Sequence, residues 1–411
     1  MIPAVWAVVL AWTLTSYLVS RSVLHPAVVY SGIWLFQITG LLFFSERFVP
    51  LSLEAMTVVI LGCLAFTTGT HIRFAAYAAP RPSAAPRSIP VGTRRFEIVA
   101  VVVALSLWAQ HNVFSTLTAG LDFDIGLVYA RKLISIDGED IYGLSKYGSP
   151  LALSGLLALQ VLWIRGHASL KHKLLCVFFL IASLAMAVLS TGRGPVVFVF
   201  LLTGMAYVLA GPPAGQRRRL ATLLASITAL MFAVFWIMGR ALGKADDDAG
   251  EALLNLADYL FSSIPALSVF IADNPVSPFG EEHGSNTFRI FHAVAAALGM
   301  SPPPPSLVQE FIPVPHLTNL YTIYLHYILD FGWAGVVLLP MFLGAVHGWL
   351  FRAAAADRRR EFLLILLVIS YLPLLQVGFQ ETHFSTVATW IQLFLICLML
   401  TRRQPPAISP S

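Results

Sequence analysis

Apolar runs of roughly 17 to 22 residues recur from one end of this 411-residue chain to the other, and no other feature restricts its fold as much. A helix rising about 1.5 Å per residue crosses ~30 Å of hydrocarbon in that length. The runs fall near 2–19, 27–44, 53–70, 96–113, 148–164, 174–190, 194–210, 220–239, 332–351, 362–378 and 384–400. Within a bilayer, backbone N–H and C=O groups must be satisfied inside the segment, so the runs predict helices. Charged residues make up 11% of the chain and hydrophobic ones 57%, whereas a soluble domain carries about 25% charged residues. The expectation is an all-α, polytopic integral membrane protein of about eleven transmembrane helices, forming one transmembrane domain over residues 1–411. The first run has no basic residues before it and no small-residue cleavage site after it, so it reads as a retained span.

Basic residues sort the loops into two sets. Residues 71–95 form a basic loop with Arg73, Arg81, Arg87, Arg94 and Arg95, and later connections carry Arg165, Lys171 and Lys173, Arg217 to Arg219, and Arg352 with Arg358 to Arg360. These loops are predicted to be cytoplasmic, with the N-terminus outside and the C-terminus inside. Acidic residues invert the pattern: Glu97, Asp357 and Glu361 are the ones on the predicted cytoplasmic side. The outer basic residues Arg47, Arg131, Lys132, Lys146, Arg193, Arg240, Lys244 and Arg289 therefore need a reason to be there. For Arg47 beside Glu46, and Lys132 before Asp137, the expected reason is pairing with the nearby carboxylate. Arg193 lies in a five-residue connection, Thr191 to Pro195, between two apolar runs. Gly192 and Gly194 leave the backbone uncovered and Pro195 suits the first turn of the next helix, which points to an anion site; the alternative is a turn whose Arg snorkels to water.

The net charge of +5 is less telling than where the charges lie, and no nucleic-acid partner is expected. Cys63, Cys176 and Cys397 fall inside apolar runs, away from any CxxC spacing or partner His, and read as packing residues.

Residues 241–316 form the one long non-spanning stretch, an extracytoplasmic loop carrying short amphipathic helices. Leu253, Leu256, Ala257, Leu260, Ile264, Leu267 and Ile271 recur every three or four residues, which predicts one helix over 251–272 lying on the membrane or on the spans. A second short helix, capped by Ser285 or Asn286, carries Arg289 and His292 and ends at Gly299. Pro302 to Pro305 make a stiff connector. Beyond it, Thr318 is a candidate cap for a helix bearing Tyr321, Tyr324 and Tyr327; with His316, Asn319 and Asp330 it forms one wall of a polar pocket.

Three passages resemble the Wzy-type oligosaccharide repeat-unit polymerases that build O-antigen and capsule: ARKLISIDGEDIYGLSKYGSP from Ala130, LSTGRGPVV from Leu189, and HLTNLYTIYLHYILDFGWAG from His316. The Asn-x-Tyr-Thr element at Asn319 and the Asp-Phe-Gly element at Asp330 are the most specific, and the order of spans and loops extends the resemblance over almost the whole chain. It implies a multi-pass protein of the bacterial cytoplasmic membrane that joins undecaprenyl-diphosphate-linked oligosaccharides, as donor and acceptor, on the outer face. A chain-length regulator protein is an implied partner, and no cofactor is implied. A ligase transferring a finished glycan, or a transporter of lipid-linked glycans, are the alternatives.

For such a reaction the leaving diphosphate must be stabilised, by a divalent metal or by arginines. Asp122 with Asp124, or Asp246 to Asp248, are the metal candidates; an acidic run in a loop is usually only solvated, so no metal site is assigned. Arg131, Arg193, Arg240 and Arg289 are the expected diphosphate contacts, each able to offer paired donors, with Asn319 and Tyr321 on the substrate. His316 is the expected base for the acceptor hydroxyl, followed by Glu381, His383 and Asp330. The expected site places Arg240, Arg289 and His316 of the long loop over a pocket completed by Arg131 and Arg193.

Overall fold

The computed structural model describes residues 1–72, 92–133, 141–190, 193–211, 215–241, 249–356 and 361–402. Helices occupy all eleven of the predicted segments. Seven described helices are long and apolar enough to cross a membrane, so the chain is an all-α, multi-pass membrane protein. The basic loop at 71–95 falls mostly outside the described residues, as do Lys244 and Asp246 to Asp248. The chain divides into two compact units: one of 1–78, 250–356 and 370–388, the other of 79–249, 357–369 and 389–411.

In the second unit, α4 (Arg94–Leu117), α6 (Gly148–Ile164) and α7 (Leu170–Leu189) pack around Phe96, Leu156, Phe179 and Met186. α5 (Phe123–Arg131), α8 (Arg193–Ala210), α9 (Gln216–Ala241) and α15 (Val387–Thr401) belong to the same unit. Arg95 donates from Nη1 to the carbonyls of Met399 and Arg402, both at 2.8 Å, so a cation sits at the negative C-terminal end of α15. The three cysteines are free and buried.

The first unit is built on α1 (Ile2–Ser20), α2 (Pro26–Phe43), α3 (Leu53–His71) and α13 (Tyr324–Ala356), with α3 against α13 as its most extensive helix pairing. Glycines let the two backbones meet. A Cβ at Gly69 would lie 2.1 Å from the Met341 carbonyl oxygen, and one at Gly344 or Gly348 within 2.0 or 2.2 Å of the Phe66 or Thr70 carbonyl oxygen. At one end of the unit Arg352 donates to the carbonyls of Thr70 (2.7 Å) and Ile72 (2.8 Å), capping α3.

The opposite end is closed by α10 (Ala249–Phe261), α11 (Ser263–Asp273), α12 (Arg289–Ala297) and a ribbon of β1 (Ile312–Pro313) with β2 (Leu317–Thr318). The single helix predicted over 251–272 is in fact two, bent by 48°. Pro265 explains the bend: it has no N–H to donate, and its ring would clash with the carbonyl four residues back, at Phe261. Phe261 inserts against Gly40 of α2, where a Cβ would meet its ring at 2.1 Å. Ser268 of α11 accepts from the Ser52 N–H at 2.7 Å.

α13 differs most from expectation. The helix predicted to start near Thr318 starts at Tyr324, because Thr318 is in β2 and its hydroxyl accepts from the Leu320 N–H at 3.1 Å. It also breaks at Gly332, with φ 57° and ψ −143°. The break frees backbone groups that residues 277–287 satisfy. Leu329 O accepts from Glu281 N (2.9 Å) and Glu282 N (3.1 Å), and Trp333 N donates to Ser277 O (3.2 Å). The Asp330 carboxylate, 1% exposed, accepts from Asn286 N (3.2 Å), Asn286 Nδ2 (2.9 Å) and Thr287 N (2.6 Å). Asn286 therefore does not cap α12; neither does Ser285, and the N-cap position falls on Phe288, which makes no side-chain cap. Gly299, at φ 72°, follows the end of α12 as expected.

Gly332→Ala should destabilise the protein by at least about 1–3 kcal/mol, because the residue needs a positive φ and its Cβ would sit 2.1 Å from Ser277 O. Thermal unfolding in detergent measures this. Gly32→Ala, where a Cβ has open space, should melt like the parent.

Candidate functional site

At the closed end of the first unit, an apolar face and an acidic residue share α10. Leu256 and Ala257 are buried against the unit, and Asp258 is carried in with them at 6% exposure. A carboxylate so placed needs partners. Arg47, from the connection after α2, provides a two-pronged one: Nε to Oδ1 at 2.5 Å and Nη2 to Oδ2 at 2.6 Å. Arg47 thus pairs with a residue 211 positions away, rather than with Glu46 as expected, and this bond holds its guanidinium above the usual range.

The β1–β2 turn brings His316 to the same carboxylate. Its Nε2 lies 3.3 Å from Asp258 Oδ2, while two thirds of its side chain remains exposed. The turn is held by Val314 N donating to His316 O at 2.8 Å, and Thr318 is hydrogen-bonded to Ser262 at 3.3 Å. Arg47, Asp258 and His316 form a chain from a half-buried cation to an exposed imidazole. An imidazole oriented by a buried carboxylate, with the rest of its ring in solvent, is suited to taking a proton from a hydroxyl.

Arg289 opens α12 and donates to the Pro305 carbonyl in the proline connector; burial lowers its pKa. Tyr321 is buried and donates to Glu310 O at 3.1 Å. Asn319 is partly exposed between β2 and α13. Asp330 is fully engaged in the α13 break. Glu381 is buried in the connection after α14 (Glu361–Gln376), where it accepts from Phe384 N (3.0 Å), Ser385 N (2.8 Å) and the Tyr327 hydroxyl (3.4 Å). His383 is buried beside His347, their rings 5.5 Å apart.

His316, Asp330, Arg289, Asn319, Tyr321, Glu381 and His383 thus share one unit. Arg131 ends α5, Arg193 begins α8 and Arg240 stands one residue before the end of α9, all in the other unit. Asp122 is exposed at the start of α5. Sequence reasoning passed over Asp258, His326 and His347. Asp258 could have been found as an acid adjoining the apolar stripe of α10, and His347 as an ionisable residue inside an apolar run. His326, buried at the start of α13, is hydrogen-bonded to Gln309 at 3.1 Å.

No family model, curated protein or solved structure matches the chain.

Arg47→Ala should destabilise the protein by about 3 kcal/mol, since it leaves the Asp258 carboxylate buried without its cation. Arg47→Ala with Asp258→Ala should recover part of that loss in denaturation measurements. Strict additivity of the two single effects would show that the pair is not coupled.

Proposed function

We propose that the protein is a membrane glycosyltransferase that polymerises lipid-linked oligosaccharide repeat units, with the closed end of the first unit facing the outside of a bacterial cytoplasmic membrane. The observation that carries this reading is His316, exposed yet held by a buried, Arg47-clamped Asp258. The sorting of charge adds to it. Arg352 caps α3 at the end that the sequence predicts to be cytoplasmic, and the basic loops, read with about eleven spans, predict the N-terminus outside and the C-terminus inside. The resemblance carried by the Asn319 and Asp330 elements supplies the substrate class, undecaprenyl-diphosphate-linked oligosaccharides as donor and acceptor.

In the reaction, a hydroxyl of the acceptor glycan attacks the anomeric carbon of the donor. A C–O bond forms there, the bond to the diphosphate breaks, and the diphosphate leaves with the electron pair. His316 takes the hydroxyl proton, and Asp258 stabilises the imidazolium that forms. Arg289 offers its guanidinium to the leaving diphosphate, in partly buried surroundings where charge interacts more strongly than in water. Arg131, Arg193 and Arg240 are the other arginine candidates for diphosphate contacts, each able to offer paired donors. A ligase would need the same base and the same anion contacts, so it is separated by its product.

Transport without bond-making has one observation in its favour. α13 is broken at Gly332, and His347, Glu381 and His383 are buried ionisable residues, features that transporters place around a substrate path.

Purified protein given a defined prenyl-diphosphate-linked repeat unit should yield a ladder of polymers. His316→Ala should lower turnover by about 10²-fold or more, whereas normal turnover would move the base to Glu381 or His383. In cells lacking the gene, single repeat units on the surface lipid indicate a polymerase. Their absence from that lipid indicates a ligase, and units trapped inside indicate a transporter.

A further inference from the structure

Two non-helical segments of the first unit meet alongside the middle of a membrane-length helix. Residues 319–323 lead into α13 and residues 377–386 join α14 to α15; Ile323 N donates to Val377 O at 2.9 Å. Their depth is set by Tyr324, whose ring lies against Gly62, midway along α3. Irregular backbone at that depth is tolerated where it is buried in protein or lines a polar space.

The side chains around the junction are polar. From α2 come Trp34, stacked on Tyr324 at 5.1 Å, and Gln37, whose amide lies against Gly378, where a Cβ would be 2.9 Å from Nε2. From α13 come Tyr327, bonded to Glu381, and His347, beside His383. Gln37 is 0% exposed, yet both its Nε2 and Oε1 have no hydrogen-bond partner among the described residues. The same holds for His347 Nδ1 and both ring nitrogens of buried His383. Buried polar groups are hydrogen-bonded as a rule, and three side chains lacking partners around one junction call for a common one.

The chemistry of that partner follows from the groups present. Gln37 and a neutral imidazole each offer a donor and an acceptor. None of the side chains named is a Lys or Arg, and the single carboxylate, Glu381, is engaged by two N–H groups and the Tyr327 hydroxyl. Among the described residues no three His, Cys, Asp or Glu side chains are grouped to hold a metal ion. An uncharged O–H group, which donates and accepts at once, fits what remains.

We propose that this junction is a membrane-depth binding site for hydroxyl groups, those of trapped water or those of a glycan. Water would form a hydrogen-bonded chain between Gln37, His383 and His347, beside Trp34; a glycan would place sugar hydroxyls on the same atoms.

Hydroxyl-radical footprinting of the full chain in nanodiscs tests this, with rates normalised to the intrinsic reactivity of each residue type. Water trapped next to a side chain allows its oxidation despite burial. Trp34 and Tyr324 should be oxidised at least tenfold faster than Phe179 and Met186, which are as deeply buried in the apolar core of the other unit, and His383, slightly less buried, should also react faster than they do. Gln37→Leu should slow oxidation of Trp34 several-fold without changing that of Met186. Adding a prenyl-diphosphate-linked trisaccharide distinguishes the sources: suppressed oxidation indicates sugar hydroxyls, and unchanged fast oxidation indicates water. The sugar arm rests on the function proposed above, whereas fast oxidation in the unliganded protein does not. Rates at Trp34, Tyr324 and His383 as slow as at Phe179, or insensitive to Gln37→Leu, would overturn the proposal.

Discussion

The first unit depends on the break in α13. A helix cannot pass through a residue at φ 57° and ψ −143° without losing intrahelical hydrogen bonds, and in an apolar environment each lost bond must be replaced. Here residues 277–287 replace them, through the carbonyl of Ser277, the N–H groups of Glu281 and Glu282, and the three donors on Asp330. The exchange fixes two things at once. It holds the cap segment against the end of α13, and it lets Tyr324 to Asp330 run as a short helix whose start lies beside Gly62 rather than beyond the end of α3. A Cβ at Gly280 would come within 2.3 Å of the Asp330–Phe331 backbone, so both sides of the joint are closely packed.

Charge placement follows the same economy of partners. At one end of the first unit Arg352 meets the carbonyls of α3, a fixed negative dipole that requires no acidic residue. In the second unit Arg95 does likewise for α15. At the other end of the first unit, Arg47 meets the Asp258 carboxylate instead, and that carboxylate is what reaches His316. Basic residues that end on carbonyls are positional anchors. One that ends on a buried carboxylate, which in turn holds an exposed imidazole, orders a chemically competent group.

The helices were legible because length and hydropathy alone define them: helices lie over all eleven predicted segments, and seven described helices are long and apolar enough to cross a membrane. Local geometry was less so. Pro265 was visible, but the strong three-to-four-residue periodicity on either side concealed the bend it causes. Asn286 has the chemistry of a cap and spends it on Asp330, a residue 44 positions away, which no local rule foresees. The Asp-Phe-Gly element stood out as a sequence pattern; its physical reason, a helix break with its own hydrogen-bond replacement, appears only when residues 277–287 are brought alongside. Arg47 was matched to the nearest carboxylate in sequence, while the closure of α10 onto α2 through Phe261 and Gly40 selects Asp258.

The depths of the polar groups imply a division of labour. A base that removes a proton from a sugar hydroxyl must be reached by substrate and return its proton to water between turnovers, and His316, largely exposed, can do both. His383 and Glu381 are buried alongside the membrane-length helices, where releasing a proton to bulk water would require a path through the unit. In the proposed hydroxyl site they would hold hydroxyl groups without exchanging charge, consistent with Glu381 being engaged by N–H groups and a tyrosine. If a glycan occupies the junction, its sugar is recognised there by hydrogen bonds. The bond-making step, which needs a proton acceptor in contact with solvent, then belongs at the exposed end near His316.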